Sequence, residues 1–519
     1  MPWSSARADL PAIVSLFDSA VQPEEVMPAQ PYDIVIRGGT VATASGRFLA
    51  DVAVSGETIA AVGRGLGPGA REIDATGKLV LPGGIDAHTH IEQVSAGGLL
   101  NADSFESATT SAAFGGNTTV ISFAAQHRGL DLRKVVDDYS ALAARGALID
   151  YAFHLIVANP DVKTIETDLP ALIGEGHASI KLFMTYDLIK VDDEPLLDVL
   201  LTARQNRALL CVHAENHGMI SWMGKRLVAK GYTAPKFHAI SHPRGSEAEA
   251  FTRLITAAAL IDQPIMIFHV STREGAEVIR KARGEGLKVF AETCPQYLFL
   301  TRHDLDKPGL EGAKWMCSPP PREVEDQEAL WRALALGDIQ TVTSDHAPYR
   351  FDETGKLSAG PQPTFKQIAN GLPGLEVRLP LMFDAMVSKG RPEFGGRGLE
   401  AFVDLTATAP ASIYNLPNKG AIAPGLDADI AIWDPARVVT LSDQMMHDRT
   451  GFTPFAGRTV QGWPVHVLSR GRDVIAGGAV GVAPGTGRWL KRQGGWAAEP
   501  TGRLTADMDP ERNFGARLL

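Results

Sequence analysis

Residues 81–90 read Leu81-Pro82-Gly83-Gly84-Ile85-Asp86-Ala87-His88-Thr89-His90. An apolar run from Leu81 to Ile85 ends in a His-x-His pair. In a strand, residues i and i+2 point to the same side. His88 and His90 can therefore meet one metal ion from the end of a single strand. The pair alone is a weak signal, and it gains weight from four residues further along the chain. Lys181 closes Ala178-Ser179-Ile180-Lys181, and His213 closes Leu209-Leu210-Cys211-Val212-His213. His269 closes Ile265-Met266-Ile267-Phe268-His269, and Asp345 closes Thr341-Val342-Thr343-Ser344-Asp345. Each is a polar group at the end of a strand-like run. Singly, a histidine there caps a strand end, Asp345 caps the next helix and Lys181 snorkels to water. Five strands delivering such groups together point to one site at the C-terminal ends of barrel strands.

The pattern around these ends fits a barrel. From about residue 84 to 403, short apolar runs alternate with helical patterns about eight times. Strand candidates are Thr118–Phe123, Tyr151–Ile156, Ser179–Phe183, Ala208–Val212, Pro264–His269, Lys288–Ala291 and Ile339–Ser344. Helix candidates include Leu132–Ala144, Pro195–Gln205, Ser246–Leu260 and Arg273–Arg283. The flanks differ. Tyr32–Ile36, Asp51–Val54, Thr58–Gly63 and Lys78–Leu81 read as short strands, with Gly38-Gly39 as a turn. Asp429–Trp433, Val438–Leu441, Gly457–Val460, Val465–Ser469 and Arg472–Ile475 read likewise. The fold class expected is α/β: a (β/α)8 TIM-like barrel over 84–403, with a small β-sandwich domain built from residues 30–83 and 404–484. Residues 1–29 form an N-terminal extension, and 485–519 a C-terminal arm or tail. The Gly63–Gly69 stretch superficially resembles a phosphate loop, but no helix signal comes after it and it reads as a turn.

Bulk properties narrow the function classes. The chain has 519 residues, 45% of them hydrophobic and 21% charged, with a formal net charge of −10. No basic excess exists to neutralise phosphates, which argues against nucleic acid or an anionic membrane as partner. No stretch of ~18 apolar residues offers a transmembrane helix, and the N-terminus lacks the order of a secretory signal. The three cysteines, Cys211, Cys294 and Cys317, form no CxxC pair, so a reducing cytoplasm is expected. Asn117-Thr118-Thr119 matches a glycosylation sequon by chance.

The ordered motifs resemble the amidohydrolase superfamily, and within it the dihydropyrimidinase/hydantoinase family. The matching segments are Gly83–His90, Lys181-Leu182-Phe183-Met184-Thr185-Tyr186, His213-Ala214-Glu215-Asn216 and His269-Val270-Ser271. They continue with Cys317-Ser318-Pro319-Pro320, Ser344-Asp345-His346-Ala347-Pro348, Asn370-Gly371 and Gly420–Ile430. The resemblance implies two divalent metal ions, zinc first and manganese or cobalt as substitutes. It implies that Lys181 takes up carbon dioxide as a carbamate bridging both ions. His88, His90 and Asp345 would hold one ion, and His213 and His269 the other. A shared water would lose its proton near neutral pH and attack a ring carbonyl. Asp345 would serve as base and then acid, and Tyr186 would steady the oxyanion. Ser318 and Asn370 match positions that bind the ring's amide. A homo-oligomer, tetramer or dimer, is implied too.

The substrate implied is a small neutral cyclic ureide or imide, such as a dihydropyrimidine or a 5-substituted hydantoin, opened to an N-carbamoyl amino acid. Glu92 occupies the place of the arginine by which dihydroorotase-like enzymes grip a carboxylate, which speaks against a carboxylated ring. The loop Glu92–Gly98 departs from the family's usual acidic-Met-Pro stretch, and it lines the pocket for the ring substituent. Alternatives are another cyclic imide, an allantoin-like ureide, an exocyclic amide, or a non-enzymatic dihydropyrimidinase-like scaffold. The remaining histidines (His127, His154, His177, His238, His242, His303, His447 and His466) lack a partner at ligand spacing and read as structural. His217 reads as peripheral, and His346 as facing away from the site.

Overall fold

The structure is a computed structural model that describes residues 32–519; the expected extension over 1–29 lies outside the described residues. The chain opens with five strands: β1 (Tyr32–Ala42), β2 (Arg47–Ser55), β3 (Thr58–Gly63), β4 (Gly69–Asp74) and β5 (Leu79–Pro82). Eight more then form a parallel sheet in sequential order: β6 (Gly84–Thr89), β7 (Asn117–Ala125), β8 (Asp150–Ile156), β9 (Ser179–Phe183), β10 (Leu209–His213), β11 (Ile265–Ile267), β12 (Val289–Thr293) and β13 (Thr341–Val342). Every residue of the eight parallel strands is buried. That explains their continuous apolar character, since helices cover the outside of a parallel sheet and side chains fill its inside. The two faces alternate residue by residue. Ile121, Phe123, Leu209, Cys211, Met266 and Phe268 pack in the interior cluster, while Val120, Ala124, Leu210, Val212, Ile265 and Ile267 pack outward.

The covering helices obey local signals. They include α1 (Phe105–Phe114), α2 (Leu132–Gly146), α3 (Leu169–Glu175), α4 (Asp193–Gln205), α5 (His217–Ala229), α6 (Phe237–Ser241), α7 (Arg244–Ile261), α8 (Arg273–Gly284) and α9 (Val324–Leu336). Asp131 caps α2 by accepting from Lys134 N at 2.9 Å, and Thr272 caps α8 by accepting from Gly275 N at 3.0 Å.

The ring closes where its first and last strands meet. Thr89 bridges to His346, and His90 N donates to His346 O at 2.7 Å. Asp86 Oδ1 accepts from Ser344 N at 3.1 Å. The wholly buried Arg378 spans the seam. It donates to Val342 O at 2.7 Å and to Asn117 Oδ1, and it pairs with Asp86 Oδ2 at 3.1 Å.

Past the barrel come β14 (Ile430–Thr440), β15 (Thr459–Ser469), β16 (Arg472–Ala476) and β17 (Ala479–Val480). With the five opening strands they form one nine-stranded mixed sheet, in the order β17-β16-β15-β14-β5-β1-β2-β3 with β4 against β1. Its halves face each other over Ile36, Val52, Val54, Ile59, Val80, Ile430, Ile432 and Leu468.

Four sequence expectations need revision. Gly38-Gly39 is a bulge within β1, not a turn: Gly38 takes φ +66° and the register shifts between Ile36 and Gly39. The pairs expected at 429–433 with 438–441, and 457–460 with 465–469, are two long bulged strands. β4 went unread because Gly69–Asp74 is a polar, mostly exposed stretch with no apolar alternation. Residues 404–413, assigned to the β-unit, are helical, and Ala411, Ile413, Tyr414 and Leu416 join the barrel's interior cluster. The C-terminal segment also packs there: Ala497 and Ala498 join that cluster, and the buried Arg492 donates to Phe153 O at 2.6 Å.

Lys419 ties the sheet to the barrel. Its buried Nζ lies 2.7 Å from Asp150, 2.8 Å from Asp427 and 2.7 Å from Asp429. The three carboxylates could pass for a metal cradle, but the ammonium already occupies it, and Arg470 adds a second cation on Asp150 at 3.0 Å. Lys419→Met leaves the buried Asp429 and the half-buried Asp427 without their cation, while Asp150 keeps Arg470. It is expected to cost about 3–5 kcal/mol, read as a lowered urea midpoint; an unchanged midpoint would mean the carboxylates find other cations.

Candidate functional site

Of the six ligand candidates, five stand at or just past strand ends, and Lys181 alone stands mid-strand. His88 is next to last in β6 with His90 just beyond its end, and His213 ends β10. His269 lies just past β11, and Asp345 just past β13. Lys181 lies within β9, on its inward face, in register with Cys211 of β10. All six line one cavity of about 490 Å³, together with Tyr186, Ser318 and Asn370. Three of these residues hold left-handed backbone: Tyr186 at φ +74°, His269 at +41° and Asp345 at +49°. Such conformations are costly for non-glycine residues and cluster at functional sites.

The distances suit a metal. Asp345 Oδ1 lies 3.0 Å from His88 Nε2 and 3.5 Å from His90 Nε2. Ligand atoms of these three residues all fall within 4.8 Å of one another. Across the cavity, the His213 and His269 rings stand 4.3 Å apart, and His269 lies 5.5 Å from His88. Lys181 lines the same cavity. Its Nζ is buried with no hydrogen-bond partner, as is His269 Nδ1. It sits over the rings of Phe268 and Phe183, at 4.0 and 4.7 Å. A buried, unpartnered amine is expensive, so this donor set fits a bound metal better than it fits an empty protein core.

Electrostatics agree. Burial draws the Lys181 ammonium down to about 7, against Glu292 and Asp345, which pull it up. Burial holds His213 and His269 well below the ordinary imidazole value, so both are neutral and able to ligate. Burial, then the Glu215 charge, pushes the Tyr186 phenol well above its usual range. Tyr186 therefore remains a donor at neutral pH, and its hydroxyl meets Ser318.

Several residues around the site escaped the sequence reading. Glu292 lies near the end of β12 and faces His88 Nδ1; it closes an apolar run just as the recognised residues do, and that was the available signal. Glu215 Oε2 lies 2.9 Å from His213 Nε2, which leaves Nδ1 of that ring for a metal. Gln93 Oε1 lies 2.7 Å from His90 Nδ1. Such contacts fix ring orientation and tautomer. His238 and His242, read as structural, line the cavity. His238 Nε2 lies 2.8 Å from Cys317 O and 3.1 Å from Ser318 Oγ. His217 also lines the cavity and pairs with Asp187 at 2.9 Å. His346 does face away, toward Asp103 at 2.9 Å. Glu92 turns out of the cavity: its carboxylate accepts from Phe105 N at the start of α1, at 3.0 Å. Its charge therefore does not meet a substrate, and the pocket wall is made by Gln93, Ser95, Ala96 and Gly97.

Comparison with known proteins agrees with this geometry. The pattern of the Amidohydrolase family matches residues 79–474. A D-hydantoinase from Rhizobium radiobacter is 40% identical over 463 residues, covering 89% of this chain and 99% of that protein. A D-hydantoinase from Geobacillus stearothermophilus is 40% identical over 479 residues, covering 92% and 98%. Among solved structures, the dihydropyrimidinase from Brevibacillus agri superposes with a TM-score of 0.85 at 39% identity, covering 89% of this chain and 99% of that one. With a strand-end ligand set in a parallel barrel and relatives matched over nearly their whole length, the chain belongs to the amidohydrolase family, in its hydantoinase and dihydropyrimidinase group.

Proposed function

We propose that this protein hydrolyses the ring of a cyclic amide, a dihydropyrimidine or a 5-substituted hydantoin, to give an N-carbamoyl amino acid. The observation that carries the reading is the convergence of His88, His90, Lys181, His213, His269 and Asp345 on one cavity, with the Lys181 amine buried and unpartnered. His88, His90 and Asp345 would hold one divalent ion, His213 and His269 a second, and Lys181 as its carbamate would join them. Imidazole and carboxylate donors suit zinc, with manganese or cobalt as substitutes. When bound, the ions supply Lewis acidity toward a water and a carbonyl.

The chain's own groups do the rest. Asp345 accepts the water's proton and passes it to the ring nitrogen as the C–N bond breaks, because an amide anion leaves poorly. The Tyr186 hydroxyl donates to the oxygen that gains charge. Ser318 and Asn370 orient the ring amide. Removing one oxyanion donor typically costs about 10²–10³ in kcat. Tyr186→Phe is expected to show that loss at unchanged metal content, and near-wild-type turnover would remove Tyr186 from the reaction.

Assembly as a homo-oligomer, tetramer or dimer, belongs to the same proposal. Met219 and Trp222, one turn apart on α5 and 41% and 55% exposed, support it. A cytoplasmic location is proposed from the cysteine usage; among the described residues no helix is long and apolar enough to cross a membrane. The deciding experiment is ring opening of dihydrouracil, phenylhydantoin and a cyclic imide, monitored by ultraviolet absorbance, with metal counted on the same sample. Turnover with about two ions per chain supports the reading. Metal without turnover shifts the search to other amides, and no metal after reconstitution with zinc and bicarbonate favours a scaffold.

A further inference from the structure

Lys356 is completely buried, yet it lies in a polar stretch, Arg350–Gln362, far in sequence from the metal-binding histidines. Its Nζ donates to three backbone carbonyls: Gly371 O at 2.8 Å, Ala369 O at 2.9 Å and Met316 O at 3.3 Å. An ammonium has three donors, and here each meets one carbonyl. These carbonyls belong to two segments that help line the cavity, through Ser318 and through Ala369, Asn370 and Gly371. One carries Cys317 and Ser318, and the other carries Asn370 between two of the bonded residues. The segments also touch directly, through Gly371 N to Met316 O at 2.9 Å. Gly371 itself, at φ +147°, leaves no room for a side chain, since a Cβ would stand 2.3 Å from Ala347 O.

Burying a lysine is costly unless its charge is met; burial draws the Lys356 ammonium down to about 7, and what faces it is three peptide dipoles rather than an ion pair. A structural filler at this place would be apolar. A point charge that gathers carbonyls from two segments fixes their mutual spacing instead. We propose that Lys356 is a positioning residue, whose buried ammonium clamps the Met316–Ser318 and Ala369–Gly371 segments so that Ser318 and Asn370 face the ring amide together. The inference rests on the reading of that wall as the ring-binding side.

The test is Lys356→Met, which keeps length and volume and removes all three donors. KM for phenylhydantoin is expected to rise roughly tenfold or more, with kcat changed less than about threefold and metal content unchanged, the signature of lost ground-state binding. Hydrogen–deuterium exchange should quicken in peptides covering 316–320 and 369–372, and not in peptides carrying the metal ligands. If Lys356→Met is not recovered folded, Lys356→Gln, with two donors for three carbonyls, should give intermediate changes in both readouts. A lowered melting temperature with unchanged KM and unchanged exchange would overturn the proposal and leave Lys356 as a filler. If the wild-type chain opens no ring, the reading of the wall fails, and the exchange result still decides whether the clamp exists.

Discussion

Lys181→Ala is expected to abolish ring opening, lowering kcat/KM by about 10⁴ or more, and to reduce bound metal below one ion per chain. Removing the side chain takes away the cavity-lining amine that, as its carbamate, would join the two ions. Without it, His213 and His269 offer two neutral nitrogens, too few to retain a divalent ion against water. Lys181→Met separates chemistry from packing: it keeps the contacts with Phe123, Phe183 and Phe268 and should be equally inactive. The carbamate itself can be tested through its formation. Only the neutral amine attacks carbon dioxide, and burial places the Lys181 ammonium at about 7. Below that value the amine is protonated and unreactive; above it the amine is free. At a fixed carbon dioxide pressure, loading of the metal-free protein should be about tenfold faster at pH 8 than at pH 6. Full metal content and turnover in Lys181→Met would eliminate the bridge.

Asp345→Asn should leave a shape nearly unchanged and remove both a charge and a proton carrier. A loss of about 10²–10⁴ in kcat is expected in metal-replete protein. The size should depend on the substrate. A ring whose departing nitrogen is already acidic, as in an imide, needs less protonation and should suffer less than dihydrouracil. An equal loss on both would mean that Asp345 only holds metal. Asp345 is suited to the double role because it faces His88 and His90 while its own backbone bends into the left-handed region, aiming the carboxylate inward at the end of β13.

The legible part of the site was the part set by strand periodicity. His88, His90, His213, His269 and Asp345 each end an apolar run or stand just beyond one, Lys181 stands inside one, and two-residue alternation fixes which way each side chain faces. Glu292 obeys the same rule and was readable. The rest depends on chain folding back over long separations. His238 reaches the site because α6 brings it against Cys317 and Ser318, and nothing at 237–241 announces that contact. Lys356 sits among Asp, Glu, Thr and Gly, a composition that normally marks solvent. Glu92 shows the reverse failure: its type and place suggested a pocket charge, but its positive φ turns it to cap α1. In the fold, short apolar runs set between helical patterns exposed the barrel, and short strand-like runs with turns exposed most of the sheet, whereas β4 pairs through its backbone with side chains that carry no pattern.

The seam between β6 and β13 has a consequence for how the protein matures. The ligands proposed for the first ion come from the opening and closing strands of the barrel, so a nascent chain cannot present them together until the last strand has arrived. A metal held there binds the finished protein and not its partly made precursors, and it adds stability in proportion to the logarithm of its free concentration. Such an ion would act as a clasp on a ring already drawn shut by Asp86, Ser344 and Arg378. Metal uptake during synthesis should therefore report completion of the barrel, and metal starvation should leave chains that are folded but easily reopened at that one join.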